Sequence, residues 1–172
     1  MQESNDRDFV NRKYRSLHKG GDLHYFNVRL RESDLNIGVD RASYSENLES
    51  VCRKELARLR VELEDYIHCH PEFRTSLVPL DLLPGAPAIA RIMEQAARLS
   101  GVGPMAAVAG AIAQEVGRKL KDSAHEAIVE NGGDIFMHVC RNRTIAVFAG
   151  KDRKSTRLNS SHEVPSRMPS SA

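Results

Sequence analysis

The tetrapeptide Asn131-Gly132-Gly133-Asp134 constrains the chain more than any other stretch. It lies between two apolar runs, Ile128 to Glu130 and Ile135 to Cys140. Asn and Gly both tolerate the positive φ that a tight two-residue connection demands, so the segment specifies an antiparallel hairpin. Strands are expected over Glu126 to Glu130, Asp134 to Cys140 and, one turn later, Thr144 to Ala149. Two consecutive glycines also leave backbone N–H groups uncovered, and Glu130 and Asp134 bring carboxylates to the same turn. Such a turn can serve as a plain hairpin. It can also receive the edge of a nucleotide or a flavin, or help hold a hydrated cation.

The rest of the chain supplies a second hairpin and three helices. Leu23 to Leu30 alternates apolar and polar residues, Arg31 to Asp34 turns, and Leu35 to Val39 forms a second strand. From Glu46 to His68, apolar residues return at Leu48, Cys52, Leu56, Leu59, Leu63, Tyr66 and Ile67, a helical spacing, and Pro71 ends the helix. Ser76 to Pro87 carries three prolines and a glycine among aliphatics and reads as an ordered loop lying on the core. A helix follows from Pro87 to Ser100 with Gly101 as its stop. Gly103-Pro104 then opens another that runs to about Lys121. Its small residues Ala106, Gly110, Ala113 and Gly117 form a face that admits close approach. The order β-β-α-α-α-β-β-β predicts an α+β fold, an antiparallel or mixed sheet with helices packed on one face.

Charge and composition exclude several functions. The formal charge of +2 arises beyond residue 151, where Arg153, Lys154, Arg157 and Arg167 outnumber Asp152 and Glu163; residues 1–151 are formally neutral and offer no basic face to nucleic acid. No run is apolar and long enough to span a membrane and the N-terminus lacks a secretory pattern, so a cytoplasmic location is expected. The three cysteines, Cys52, Cys69 and Cys140, fit neither a disulfide framework nor a zinc ligand set. His68-Cys69-His70 has no second ligand pair and reads as a helix-end cap. Cys140 reads as a buried, inert thiol.

Residues 152–172 have no apolar periodicity and are rich in serine. Asp152 to His162 resembles the in-frame translation of a sequencing adapter, and Ser166 to Ala172 a further adapter portion. This stretch is therefore expected to be a non-native, disordered tail. On that reading residues 1–151 are the N-terminal portion of a domain that is incomplete at its C-terminus.

Two glycine-bearing segments are candidate sites. In Gly101-Val102-Gly103-Pro104-Met105-Ala106-Ala107 the N–H groups of Met105, Ala106 and Ala107 open a helix, where anions bind. It lacks the Lys-Ser/Thr pair of a Walker A loop and no strand precedes it, so a helix–helix corner is the competing reading. The candidate ligand-binding residues are Gly101, Gly103 and Met105, with Asn131, Gly132, Gly133 and Asp134 from the hairpin.

Taken together, His70 to Leu80, Gly101 to Arg118, Ile128 to Phe136 and Thr144 to Gly150 resemble uncharacterised protein family 0280, of the ApbE-like superfamily. The resemblance covers most of residues 10 to 150. ApbE proteins are magnesium-dependent flavin transferases that cleave FAD and attach its FMN half to a threonine or serine of an acceptor protein, and Gly132 to Ile135 is the block most visibly shared with them. The resemblance implies an ApbE-like fold, flavin nucleotide (FAD or FMN) as ligand and magnesium as cofactor. It also implies that the magnesium-binding Asp and Thr lie beyond the last strand, so this chain by itself is expected to be inactive. Two other readings stand beside it. One is a role in sulfur or amino-acid metabolism using the Cys140 thiol; the other is a partner-binding module using the small-residue helix face.

Overall fold

A computed structural model of the chain describes residues 21–145. Strands β1 (Leu23–Leu30) and β2 (Ser33–Asp40) form the first hairpin, with Phe26 opposite Ile37 and Val28 opposite Leu35. The turn is tighter than the sequence predicts. Ser33 already pairs with Leu30, and Arg31 takes up the turn at φ 52°, a conformation no glycine announces. Helix α1 (Glu46–Cys69) secures it from above: Arg60 reaches Ser33 Oγ at 3.0 Å and Glu32 at 2.7 Å, while Arg31 pairs with Glu64 at 2.8 Å.

Helix α1 begins where Ser45 accepts the Leu48 N–H and where Glu46 and Glu49 meet the positive end of the helix dipole. Its buried residues, Leu48, Cys52, Leu56, Leu59, Leu63 and Tyr66, are the predicted stripe without Ile67, which is half-buried at the core margin. The His70 N–H closes the helix on the Tyr66 carbonyl at 2.8 Å. Pro71 does more than end it. Its fixed φ of −59° starts a one-turn helix α2 (Glu72–Thr75) that drives Phe73 completely into the core.

Helix α3 (Ala88–Ser100) starts after Pro87 and stops at Gly101, left-handed at φ 70°. The predicted third helix is divided in two. Pro104–Ala107 is a 3-10 turn, and α4 (Val108–Leu120) is the α-helix proper. The chain direction swings by 107° between α3 and the segment Pro104–Leu120. Among the described residues no single helix is long and apolar enough to cross a membrane.

Strands β3 (Ala127–Asn131) and β4 (Asp134–His138) complete an antiparallel sheet of order β1-β2-β3-β4. Helices α1 and α4 pack on it, against a core that includes Phe26, Ile37 and Val129, with Phe136 at its margin. The fold is thus α+β with an open four-stranded antiparallel sheet. Strand β4 stops at His138, two residues short of the predicted end, because the Cys140 N–H leaves the ladder for the Glu126 carboxylate at 3.1 Å. Of the further strand predicted over Thr144 to Ala149, Thr144 and Ile145 have no regular structure, and residues 146–149 lie outside the described residues, as do 152–172.

Candidate functional site

The Asn131–Asp134 hairpin has the predicted form. Gly132 and Gly133 sit at φ 63° and 106°, and Asn131 pairs directly with Asp134. One of the turn's donors is already committed, however. The Gly133 N–H is taken at 2.9 Å by Glu130 Oε1, and that carboxylate is 4% exposed. Asn131 is buried as well, and its Nδ2 donates to the Ala109 carbonyl of α4 at 3.1 Å. Asn131 therefore docks the hairpin on the helix rather than facing a ligand.

The segment from Gly101 to Ala107 departs from expectation in the same way. Gly101 is an exposed helix stop. Gly103 is buried because the Ser76–Leu77 backbone lies where a Cβ would be, so the close approach it permits is to the chain's own loop. The Ala106 N–H bonds back to the Gly103 carbonyl at 3.1 Å, as i to i+3 turns require, and is withdrawn from any anion. Met105 packs against the core.

What the fold does achieve is to bring the two segments together. Gly110, in the first turn of α4, lies under the hairpin: a Cβ there would meet the Asp134 carboxylate at 3.7 Å, an ordinary contact. Around this point opens a cleft of about 430 Å³. Ile92, Ala96 and Ser100 of α3 form one wall, and Ala107, Gly110, Ala111 and Gln114 form the floor. Asp134, Ile135 and Phe136 form the other wall, and Val102 and Ala106 close one end. Apolar walls with a few convergent polar groups, here Ser100, Gln114 and Asp134, are the usual lining of a small-molecule site.

Of the seven candidate residues, Asp134 alone lines the cleft; Val102 and Ala106 line it in place of their neighbours Gly101, Gly103 and Met105. Gly110 belonged to a stripe of small residues visible in the sequence. The contributions of Ile92, Ala96 and Gln114 had no local signal, since residues of this kind equally make helix cores. The stripe itself is largely occupied within the chain: the Phe136 ring fills the space beside Gly117, and Ala113 is fully buried.

His70 is buried, with Nδ1 3.1 Å from Tyr66 Oη, and that hydroxyl accepts the Leu83 N–H at 3.0 Å; His68 and Cys69 are exposed. The Tyr66 hydroxyl therefore ties His70 and the proline-rich loop together. Burial pushes the Cys52 thiol up to about 12. Cys140, expected to be buried, is exposed, because the chain has already left the sheet there; its Sγ lies 3.5 Å from the His125 carbonyl.

Beside Cys140, Arg143 bridges two strand ends, contacting Asp22 at 2.7 Å and also Glu126. The Arg143 hydrogen bond, aided by Arg141, holds the Asp22 carboxyl down at about 2. For Glu126 burial works upward, but Arg143, the Cys140 N–H and Arg141 outweigh it and keep the carboxyl below its ordinary range. Among the described residues no three His, Cys, Asp or Glu side chains converge on a point that could hold a metal ion. Asp134 is the one carboxylate among the described lining residues, so these residues do not by themselves make a magnesium site.

Fold and site together define an α+β protein with a cleft between its helices and the Asn131–Asp134 hairpin. A family model described as AbpE bacteria matches residues 15–168, and the chain belongs to that family. A UPF0280 protein of Methanocaldococcus jannaschii is 38% identical over 126 residues, 73% of this chain and 49% of that protein. One from Methanopyrus kandleri is 38% identical over 130 residues, 76% of this chain and 51% of the relative. Another, from Archaeoglobus fulgidus, is 42% identical over 99 residues, 57% and 42% respectively. These relatives bear out the resemblance to uncharacterised protein family 0280. The chain spans about half the length of the curated relatives it matches. The family match also runs to residue 168, into the stretch set apart above as a tail.

Proposed function

We propose that this chain carries the ring-binding part of an ApbE-like flavin-nucleotide protein, with FAD or FMN as its ligand. One observation carries the reading: the helix-opening segment and the Asn-Gly-Gly-Asp hairpin, remote in sequence, converge on one cleft whose floor is bare of side chains at Gly110. A planar ring needs that kind of flat, small-residue floor, and Asp134 and Ser100 supply an acceptor and a donor for its polar edge.

Flavin transfer belongs, on this reading, to the full-length protein. There the FAD phosphoanhydride is broken, the FMN phosphoryl group passes to an acceptor serine or threonine oxygen, that hydroxyl gives up its proton, and AMP leaves. Magnesium would neutralise the developing charge. Asp134, the one carboxylate among the described lining residues, is placed at the ring edge, so transfer is not assigned to this chain.

The test is a titration of FAD and FMN with this chain and with a full-length family member, followed by flavin fluorescence with and without magnesium. Quenching by both proteins, with FMN labelling of an acceptor by the longer one, is the expected result. Absence of binding by either would overturn the reading.

A further inference from the structure

The cleft is polar in a directional sense, and its asymmetry follows α4. Residues 107, 110, 111 and 114 make the floor, and the next position on the same helical face is Arg118. Its guanidinium reaches back to the cleft floor. With the Gln114 amide assigned by its hydrogen bonding, the side-chain oxygen accepts from Arg118 Nη1 and Nη2 at 3.2 and 3.3 Å. Glu115 holds the same guanidinium at 2.9 Å. Lys121, three residues on, places Nζ 5.8 Å from the centroid of the Phe136 ring, which lines the cleft. At the other end stands the Asp134 carboxylate, over Gly110.

Cations in the last turn of a helix complement its dipole, which explains their sign. Helical spacing puts Arg118 on Gln114, and Lys121 lies over a cleft ring, so both cations stand at the same end of the cleft. An Asp134 carboxylate repels phosphate, and Arg118 and Lys121 attract it. Gly110 and Arg118 are separated along the helix by roughly 12 Å at 1.5 Å per residue, a span that a ring and its sugar chain bridge.

Resting on the flavin-nucleotide reading above, we propose that the ligand lies lengthwise along α4. Its ring sits on Gly110 beside Asp134, and its phosphate lies at Arg118 and Lys121. The cations then discriminate phosphorylated from unphosphorylated ligand and contribute nothing to ring recognition.

The experiment titrates riboflavin, FMN and FAD into the full chain and into the double variant Arg118→Gln/Lys121→Gln, monitored by flavin fluorescence. Both positions are exposed, so the variant should keep the thermal midpoint of the parent. The expected result is FMN and FAD affinity lowered about three- to tenfold with riboflavin affinity unchanged, and a loss of the FMN advantage in high salt. Equal losses for riboflavin and FMN, or no loss for either, would overturn the proposal while leaving flavin binding intact. If the parent chain binds none of the three ligands, the flavin reading itself falls and this orientation with it.

Discussion

The ring of Phe136 occupies the space that a Cβ on Gly117 would take. The contact fastens β4 to α4 and shapes one end of the cleft, since Phe136 lines it. Gly117→Ala must displace the ring. We expect it to destabilise the fold by about 1–3 kcal/mol, read as a lower urea midpoint with an unchanged slope. A midpoint equal to that of the parent would show that the ring has room to move.

Gly110 gives the opposite result. A Cβ there makes only ordinary contact, and alanine favours helix over glycine by about 1 kcal/mol, so Gly110→Ala should preserve or raise stability. Gly110→Leu should keep the fold but fill the cleft floor. Isothermal titration with FMN should show binding lost in the leucine variant and present in the parent. Undiminished binding would place the ligand elsewhere.

Tyr66 joins α1 to the proline-rich loop through one hydroxyl, shared between His70 Nδ1 and the Leu83 N–H. Tyr66→Phe leaves that N–H without its acceptor and should cost about 1–3 kcal/mol. Because the bond secures the loop, proteolysis between residues 76 and 87 should quicken more than global unfolding does. Proteolysis that merely tracks global stability would contradict this role.

Acid should weaken the Arg143 bridge. Asp22 titrates near 2 in the fold against an ordinary 3.8, and Glu126 is also lowered. A depressed carboxyl stabilises the native state above its unfolded value and loses that contribution as pH falls through the folded one. Stability should therefore decline from about pH 4 towards pH 2, and Arg143→Gln should flatten that decline while lowering stability at neutral pH. Chemical denaturation at stepped pH measures both; an unchanged acid slope in the variant would remove Arg143 as its cause.

Much of this architecture is local, and for that reason legible. Ser45 and the Leu48–Tyr66 stripe specify α1, Pro87 and Gly101 bound α3, and Gly132-Gly133 make a hairpin from backbone energetics alone. Where prediction and structure part, a distant partner has intervened. Arg31 enters a positive φ in a turn that Arg60 and Glu64 hold from α1. Glu130 takes the Gly133 N–H that had seemed available, and Glu126 draws Cys140 out of the strand into solvent.

The sequence by itself determined the elements, the antiparallel hairpins and the presence of two glycine-bearing segments, because φ preferences, caps and apolar periodicity act over a few residues. Only the tertiary structure decided which of those glycines serve the chain's own packing and which border a cleft. Gly103 faces Ser76, Gly117 faces Phe136 and Gly110 faces Asp134. Each choice depends on which backbone or side chain arrives from another element, and a glycine looks the same in all three.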